Sequence, residues 1–317
     1  MRKIVLLIIC FVTLHASAQD TALAKRNDIE IPKKENHPVW IFHSQRVINA
    51  NTVYMLSKGI LDFRIVHNFG DLAGKGGGIK NFYGIDNAQD IRIGFEYGIS
   101  KRLNAVAARY KGAVQVNKIY EIGLKWLILQ QTEGKGHPIS LALYANEAIA
   151  TMTPGTNPEN ENAISDDFSD RLSNLVQLML ARKFGKHLSL QLNPTFVHRN
   201  FALPYDENNL FALGGAMRLH LGGRYSLLFD YFHTFRSQSS IDSFKVRNIN
   251  FYDAIGVGFE ILTEGHVFHL NFTNALDILE NRFIPRTTSS WGEGQFRWSF
   301  TISRDFDLFW KKKSKKK

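Results

Sequence analysis

From about residue 58 to the end of the chain, apolar side chains return at every second position in segments of 8–13 residues. That is the period of a strand with two unlike faces, and the period of 3.6 expected of a helix is missing from these windows. Segment 91–99 sets Ile91, Ile93, Phe95, Tyr97 and Ile99 against Arg92, Gly94, Glu96 and Gly98. Segment 118–129 sets Tyr120, Ile122, Leu124, Trp126 and Ile128 against Glu121, Gly123 and Lys125. Similar alternation in 187–198 puts Leu188, Leu190, Leu192 and Phe196 opposite Ser189, Gln191, Asn193 and Thr195. The pattern predicts twelve strands: 58–69, 90–99, 103–110, 117–129, 139–150, 172–184, 187–198, 210–221, 225–235, 251–262, 266–274 and 294–304.

The connections alternate as well. Those at 100–102, 130–138, 185–186, 222–224 and 263–265 are mostly short and rich in glycine and charge, whereas 70–89, 111–116, 151–171, 199–209, 236–250 and 275–293 are mostly long and polar. An even number of antiparallel strands with short turns at one end and long loops at the other is the pattern of a transmembrane β-barrel. A soluble sandwich also alternates, so the character of the second face decides. Here it carries glycine, serine and threonine besides charge, which suits a crowded lumen where small side chains make room for larger ones. Tyr97, Tyr120, Trp126, Tyr225 and Tyr231 lie near segment ends, where interfacial girdles are expected.

The first residues carry a different signal. Met1-Arg2-Lys3, the apolar run 4–14 and Ala16-Ser17-Ala18 read as a secretory signal peptide over 1–18. A lipoprotein signal is disfavoured, since Ile9 precedes Cys10 where a small residue belongs. The run is also too short to cross a bilayer as a helix, which needs about 20 residues. Cys10 is the one cysteine of the 317 residues, so thiol chemistry is excluded after cleavage. At 44% hydrophobic and 12% aromatic residues, disorder is excluded too. The formal charge of +10 is concentrated: Arg2, Lys3 and the six lysines of 311–317 account for eight of the 39 basic residues, leaving 31 against 29 acidic. A nearly neutral body argues against nucleic acid as a partner.

The stretches His67-Asn68-Phe69-Gly70-Asp71, Phe82-Tyr83-Gly84-Ile85-Asp86-Asn87, IRIGFEYGISKRL (91–103) and FIPRTTSSWGEGQFRWSFTISRDF (283–306) resemble an uncharacterised family of outer-membrane β-barrel proteins found in Bacteroidota. The resemblance runs from about residue 40 to 306. It implies the barrel fold and the bacterial outer membrane, with membrane lipid and the barrel-assembly machinery as partners, and it implies no substrate.

Parity then assigns Asp62, Arg64, Arg92, Glu96, Glu121, Lys125, Arg218, Asp230, Glu260 and Arg297 to the inner face. Five acids and five bases suggest either a pore whose mixed charges orient small polar solutes, or a salt-bridged interior that holds a closed barrel together. The expected function is a passive pore for a small polar solute, with a closed barrel binding a partner through loops 151–171 and 275–293 as the alternative. Residues 19–57 are expected as an N-terminal periplasmic segment or plug, within which 40–57 would be a lumenal plug, a periplasmic lead-in or an extra strand. The barrel is expected over 58–304, followed by a C-terminal end and lysine-rich tail at 305–317 on the periplasmic side.

No catalytic residue, cofactor or metal is expected, and the chain is read as no enzyme. His266 and His269 are three apart, hence on opposite faces of a strand. His220 and His269 face inward on different strands and would share a site only across the lumen. His198 and His233 face outward with no Ser or Asn partner evident by parity, which weighs against a lipid hydrolase. The run Gly74-Lys75-Gly76-Gly77-Gly78 lacks the spacing of a phosphate loop, and the acidic loop 159–170 matches no EF-hand.

Overall fold

The computed structural model describes residues 37–309 apart from 113–114, 135, 158–159 and 161–162. The signal-peptide reading and the lysine tail lie outside the described residues. Twelve strands follow in order: β1 (Ile60–Asp71), β2 (Ala88–Ser100), β3 (Leu103–Gly112), β4 (Lys118–Leu129), β5 (Ser140–Ala150), β6 (Leu172–Phe184), β7 (Leu188–Arg199), β8 (Asn209–Gly222), β9 (Tyr225–Phe235), β10 (Ala254–Leu262), β11 (Val267–Thr273) and β12 (Arg297–Asp307). Each pairs antiparallel with its neighbours in sequence, and β1 pairs with β12 to close the barrel. Every strand boundary read from the alternation falls within three residues of the structural one.

The barrel is inside-out relative to a soluble one. Outward-facing Ile122, Leu124, Trp126, Leu192 and Phe211 are more than half exposed, whereas inward Arg64, Glu121, Lys125, Asp230 and Arg297 are buried. Such a surface is stable only against hydrocarbon. No helix among the described residues is long and apolar enough to cross a membrane, so the strands are the spanning elements.

The segment before β1 runs inside the barrel. It first adds to the turn between β4 and β5, where Val39 N–H donates to Gln131 O (2.8 Å) and Glu133 N–H to His37 O (2.9 Å). It then folds into a tight hairpin over 45–52, closed by Val47 N–H to Ala50 O and Thr52 N–H to Gln45 O, both 2.9 Å. Its apolar residues Ile41, Phe42, Val47, Ile48, Val53 and Met55 pack in one cluster with the wall residues Ala142, Ala181, Ala212, Ala216 and Ala254. Alanines on the inner face of β5, β6, β8 and β10 make room for this insert, and each large apolar side chain buried there contributes about 1.5–3 kcal/mol. The chain leaves the lumen past Gly98, where a Cβ would meet Ser57 O at 2.2 Å.

The opposite mouth is covered by the long loops, which contain two helices that the alternation did not predict: α1 (Gln238–Lys245) and α2 (Glu280–Arg286). Helix α2 sits within the barrel mouth. Phe283 meets Phe232 edge-on at 5.2 Å, and Thr234 Oγ1 donates to Ile284 O. The helix has seven residues and contains Pro285, too short for a 3.6-residue period to register.

Candidate functional site

All ten residues assigned to the inner face by parity are buried within the barrel. Eight of them form four ion pairs: Arg64–Asp62 at 3.4 Å, Arg92–Glu121 at 3.6 Å, Lys125–Glu96 at 2.8 Å and Arg218–Glu260 at 2.6 Å. Arg297 reaches outside the assigned set, to Asp71 at 2.6 Å and to the Asn274 carbonyl at 2.7 Å. Neutral groups fill the remaining valences. Glu121 accepts from Tyr110 Oη (2.6 Å), Tyr144 Oη (2.5 Å) and Asn146 Nδ2 (2.7 Å). A buried charge needs both a counter-ion and full hydrogen bonding, and this one has both.

Asp230 on β9 is different, because its partners come from the N-terminal hairpin. Asn49 N–H (2.5 Å), Ala50 N–H (2.9 Å) and Ile48 N–H (3.3 Å) all donate to Oδ2, and Asn49 Nδ2 donates to Oδ1 at 3.0 Å. Three successive backbone N–H groups at a turn make an anion-binding nest. The wall supplies the anion and the hairpin the nest. A second carboxylate, Glu280 of α2, is held in the same way: Arg46 Nη2 lies 3.1 Å from Oε1, and Asn51 Nδ2 donates to that oxygen at 2.7 Å. The hairpin therefore joins the wall on one side to the outer loop on the other.

The glycine-rich face seen in the sequence has a definite task here. A Cβ on Gly256 would meet Asp230 Oδ1 at 2.4 Å and Ile48 at 3.0 Å, and one on Gly258 would meet Asn271 Oδ1 at 2.2 Å. These two glycines of β10 leave the space that the hairpin tip occupies. Beside the paired charges, the space left around Gln45, Arg46, Arg64 and Lys125 is about 10 Å³, room for about one water. At this level the hairpin fills the lumen between the paired charges.

A family model described as "Membrane bound beta barrel domain (DUF5777)" matches residues 42–306. The chain belongs to this family. No curated protein is similar in sequence. Among solved structures, the KdgM porin is 9% identical over 78% of this chain and 99% of that one, with a TM-score of 0.45. The NanC porin is 9% identical over 78% and 100%, with a TM-score of 0.46. The outer membrane protein Omp33 of Acinetobacter baumannii is 12% identical over 78% and 97%, with a TM-score of 0.38. The family and the inside-out surface together make this a membrane-bound barrel of the bacterial outer membrane.

The match to the DUF5777 family begins at Phe42, so it takes in the hairpin as well as the barrel. Parity located the wall charges of this DUF5777 barrel but missed Arg46, Asn49, Asn51 and Glu280. The hairpin residues lie in a segment without alternation, and Glu280 lies in a loop where parity has no meaning. One outer-face expectation is corrected. His198 does have an Asn partner: its Nδ1 lies 2.7 Å from Asn209 Oδ1. Strand β8 begins at Asn209, one residue earlier than the alternation indicated, which brings Asn209 opposite His198 in register. His233 pairs with Asp253 at 2.9 Å. Both ring partners are an amide or a carboxylate, not a serine hydroxyl. His269 faces inward beside Glu260 (3.3 Å), while His220 stacks on His187.

Proposed function

We propose that this DUF5777 barrel is a channel for small polar solutes, non-enzymatic, and that residues 40–57 are its plug. Asp62, Arg64, Arg92, Glu96, Glu121, Lys125, Arg218, Asp230, Glu260 and Arg297 would line the opened pore. The stretches quoted from 67–103 and 283–306 support an origin in Bacteroidota. One observation carries the reading: the obstruction contributes no strand to the closed ladder of β1–β12. It can leave without breaking a single inter-strand hydrogen bond, and the wall it uncovers is polar and charged, so water would wet it. A barrel that only filled its interior for stability would gain more from apolar side chains than from paired ions.

The test is planar-bilayer conductance of refolded residues 19–317 beside the same protein lacking 19–57. Near-silence from the first and steady conductance from the second are expected. Silence from both, with insertion verified, would end the pore reading in favour of a closed barrel that binds a partner through loops 151–171 and 275–293.

Acid is expected to loosen the plug through His43. Burial, together with the nearby Arg218, lowers its pKa from 6.5 to about 4; Lys183 and His220 add to this and Glu260 opposes it. The docked segment therefore binds fewer protons than the released one between those two values. Docking is at full strength above pH 6.5 and weakens as pH falls toward 4. Glu280, whose burial raises the carboxyl pKa against the pull of Arg46, also titrates near the plug. The readout is therefore a difference: open probability between pH 6.5 and 4 should rise more in the wild type than in His43→Gln. Equal pH profiles would remove His43 from the plug's energetics.

A further inference from the structure

The hairpin tip occupies a place that was built for something with its chemistry. Asp230 is fully buried, and its four hydrogen bonds all come from residues 48–50. Glu280 is also fully buried; one carboxylate oxygen is taken by Arg46 and Asn51, and the other, Oε2, has no hydrogen-bond partner among the described residues. Among the described residues, Asn271, buried on β11 beside the space of Gly258, has neither its Nδ2 nor its Oδ1 engaged. On the β7 side, Gln191 Nε2 and Asn193 Nδ2 both donate to Asn51 O, and Gln191 Oε1 accepts from Val53 N–H. These wall groups take main-chain donors and acceptors of the hairpin as they would take those of a solute.

The charge balance gives the sign of that solute. When the hairpin leaves, the four wall ion pairs keep their partners, because Arg64, Arg92, Lys125 and Arg218 are paired with wall carboxylates. What departs is the Arg46 guanidinium and the N–H nest. What stays is two carboxylates without those partners, on the wall of a narrow lumen enclosed by protein and membrane. Such groups attract cations strongly.

Resting on the channel reading above, we infer that the space of the hairpin tip is a binding site for a cationic solute rich in N–H donors, of the guanidinium or primary-ammonium class. Asp230 and Glu280 are its two anchors, and the hairpin, presenting Arg46 and the nest at 48–50, is its internal competitor. A solute of this class enters by displacing the plug, so binding and opening are one equilibrium.

Two measurements on the full-length protein test this. The first uses the variant Arg46→Ala/Ala50→Pro, which removes the guanidinium from Glu280 and one N–H from Asp230. Its cation-over-anion permeability ratio, from reversal potentials in a KCl gradient, should exceed by about threefold or more that of the same variant carrying Asp230→Asn and Glu280→Gln. Argininamide should block the first and not the second. The second measurement needs no opening variant. The sequence after residue 18 has no cysteine, so Val47→Cys reports plug release through its rate of maleimide labelling. Argininamide should speed that labelling several-fold over KCl of equal ionic strength.

Conduction without selectivity or block, and labelling indifferent to argininamide, would overturn the site while leaving the channel standing. A folded Arg46→Ala/Ala50→Pro barrel that never conducts would count against the channel reading. In that case faster labelling would still support the site, and unchanged labelling would overturn it.

Discussion

Asp230→Asn is expected to turn the full-length chain from a closed barrel into one that opens frequently, with the strands intact. A hydrogen bond to a charged acceptor contributes about 1.5–3 kcal/mol, and Asp230 accepts four from the hairpin. An asparagine can present one carbonyl oxygen to the three N–H groups of 48–50, but its amide nitrogen then faces the Asn49 Nδ2 donor. The loss is offset in part, since docking no longer strips water from a carboxylate. A net weakening of about 2–3 kcal/mol corresponds to a roughly 30- to 150-fold shift of the plug equilibrium toward release. The wall should be unaffected, because the Asp230 side chain bonds to the hairpin and to none of the strands beside it. Open probability in a bilayer measures the shift, and the folded band on a semi-native gel checks the barrel. Wild-type closure with Asn at this position would mean that the hairpin is held elsewhere.

That prediction could not have been made from the alternation of residues alone. Strand number, order and the inward set were legible because one physical cause, hydrocarbon outside and polar contacts inside, imposes period two on every strand. Parity puts Asp230 on the inner face, where it is buried, yet only as one of five acids set against five bases. Its actual partners are backbone N–H groups, which every residue carries and no sequence pattern reveals. The same holds for Glu280. A glutamate in a long polar loop reads as solvated, and only the infolding of α2 buries it. The glycines gave the better clue. Gly256 and Gly258 follow one another on the inner face of β10, and the space they leave is filled by Ile48 of the hairpin. An unexplained run of inward glycines signals an insert, although it does not say which segment provides it. The choice among plug, lead-in and extra strand for 40–57 stayed open for that reason.

Glu121→Ala should be the most destabilising substitution in the wall, lowering barrel stability by about 3–5 kcal/mol. The carboxylate is the centre of a buried network: Arg92 at 3.6 Å, Tyr110 and Tyr144 hydroxyls, and Asn146. Its removal leaves the Arg92 guanidinium with the Tyr110 hydroxyl at 2.8 Å and no counter-ion. The expected readout is a lower temperature for conversion of the folded, fast-migrating form to the unfolded one. Glu121→Gln, which keeps the acceptor and loses the charge, should fall between the two. Arg92→Met/Glu121→Leu should return to within about 1 kcal/mol of the wild type, because removing both charges removes the desolvation cost along with the attraction. If the single and double variants are equally unstable, packing and not charge holds this part of the wall. The contrast with Asp230 then divides the inner charges by what satisfies them. Those paired within the wall govern whether the barrel stands, and those satisfied by the hairpin govern whether it is shut. Glu121→Ala should accordingly lower stability without the large gain in open probability predicted for Asp230→Asn, so the two variants together separate holding the barrel from closing it.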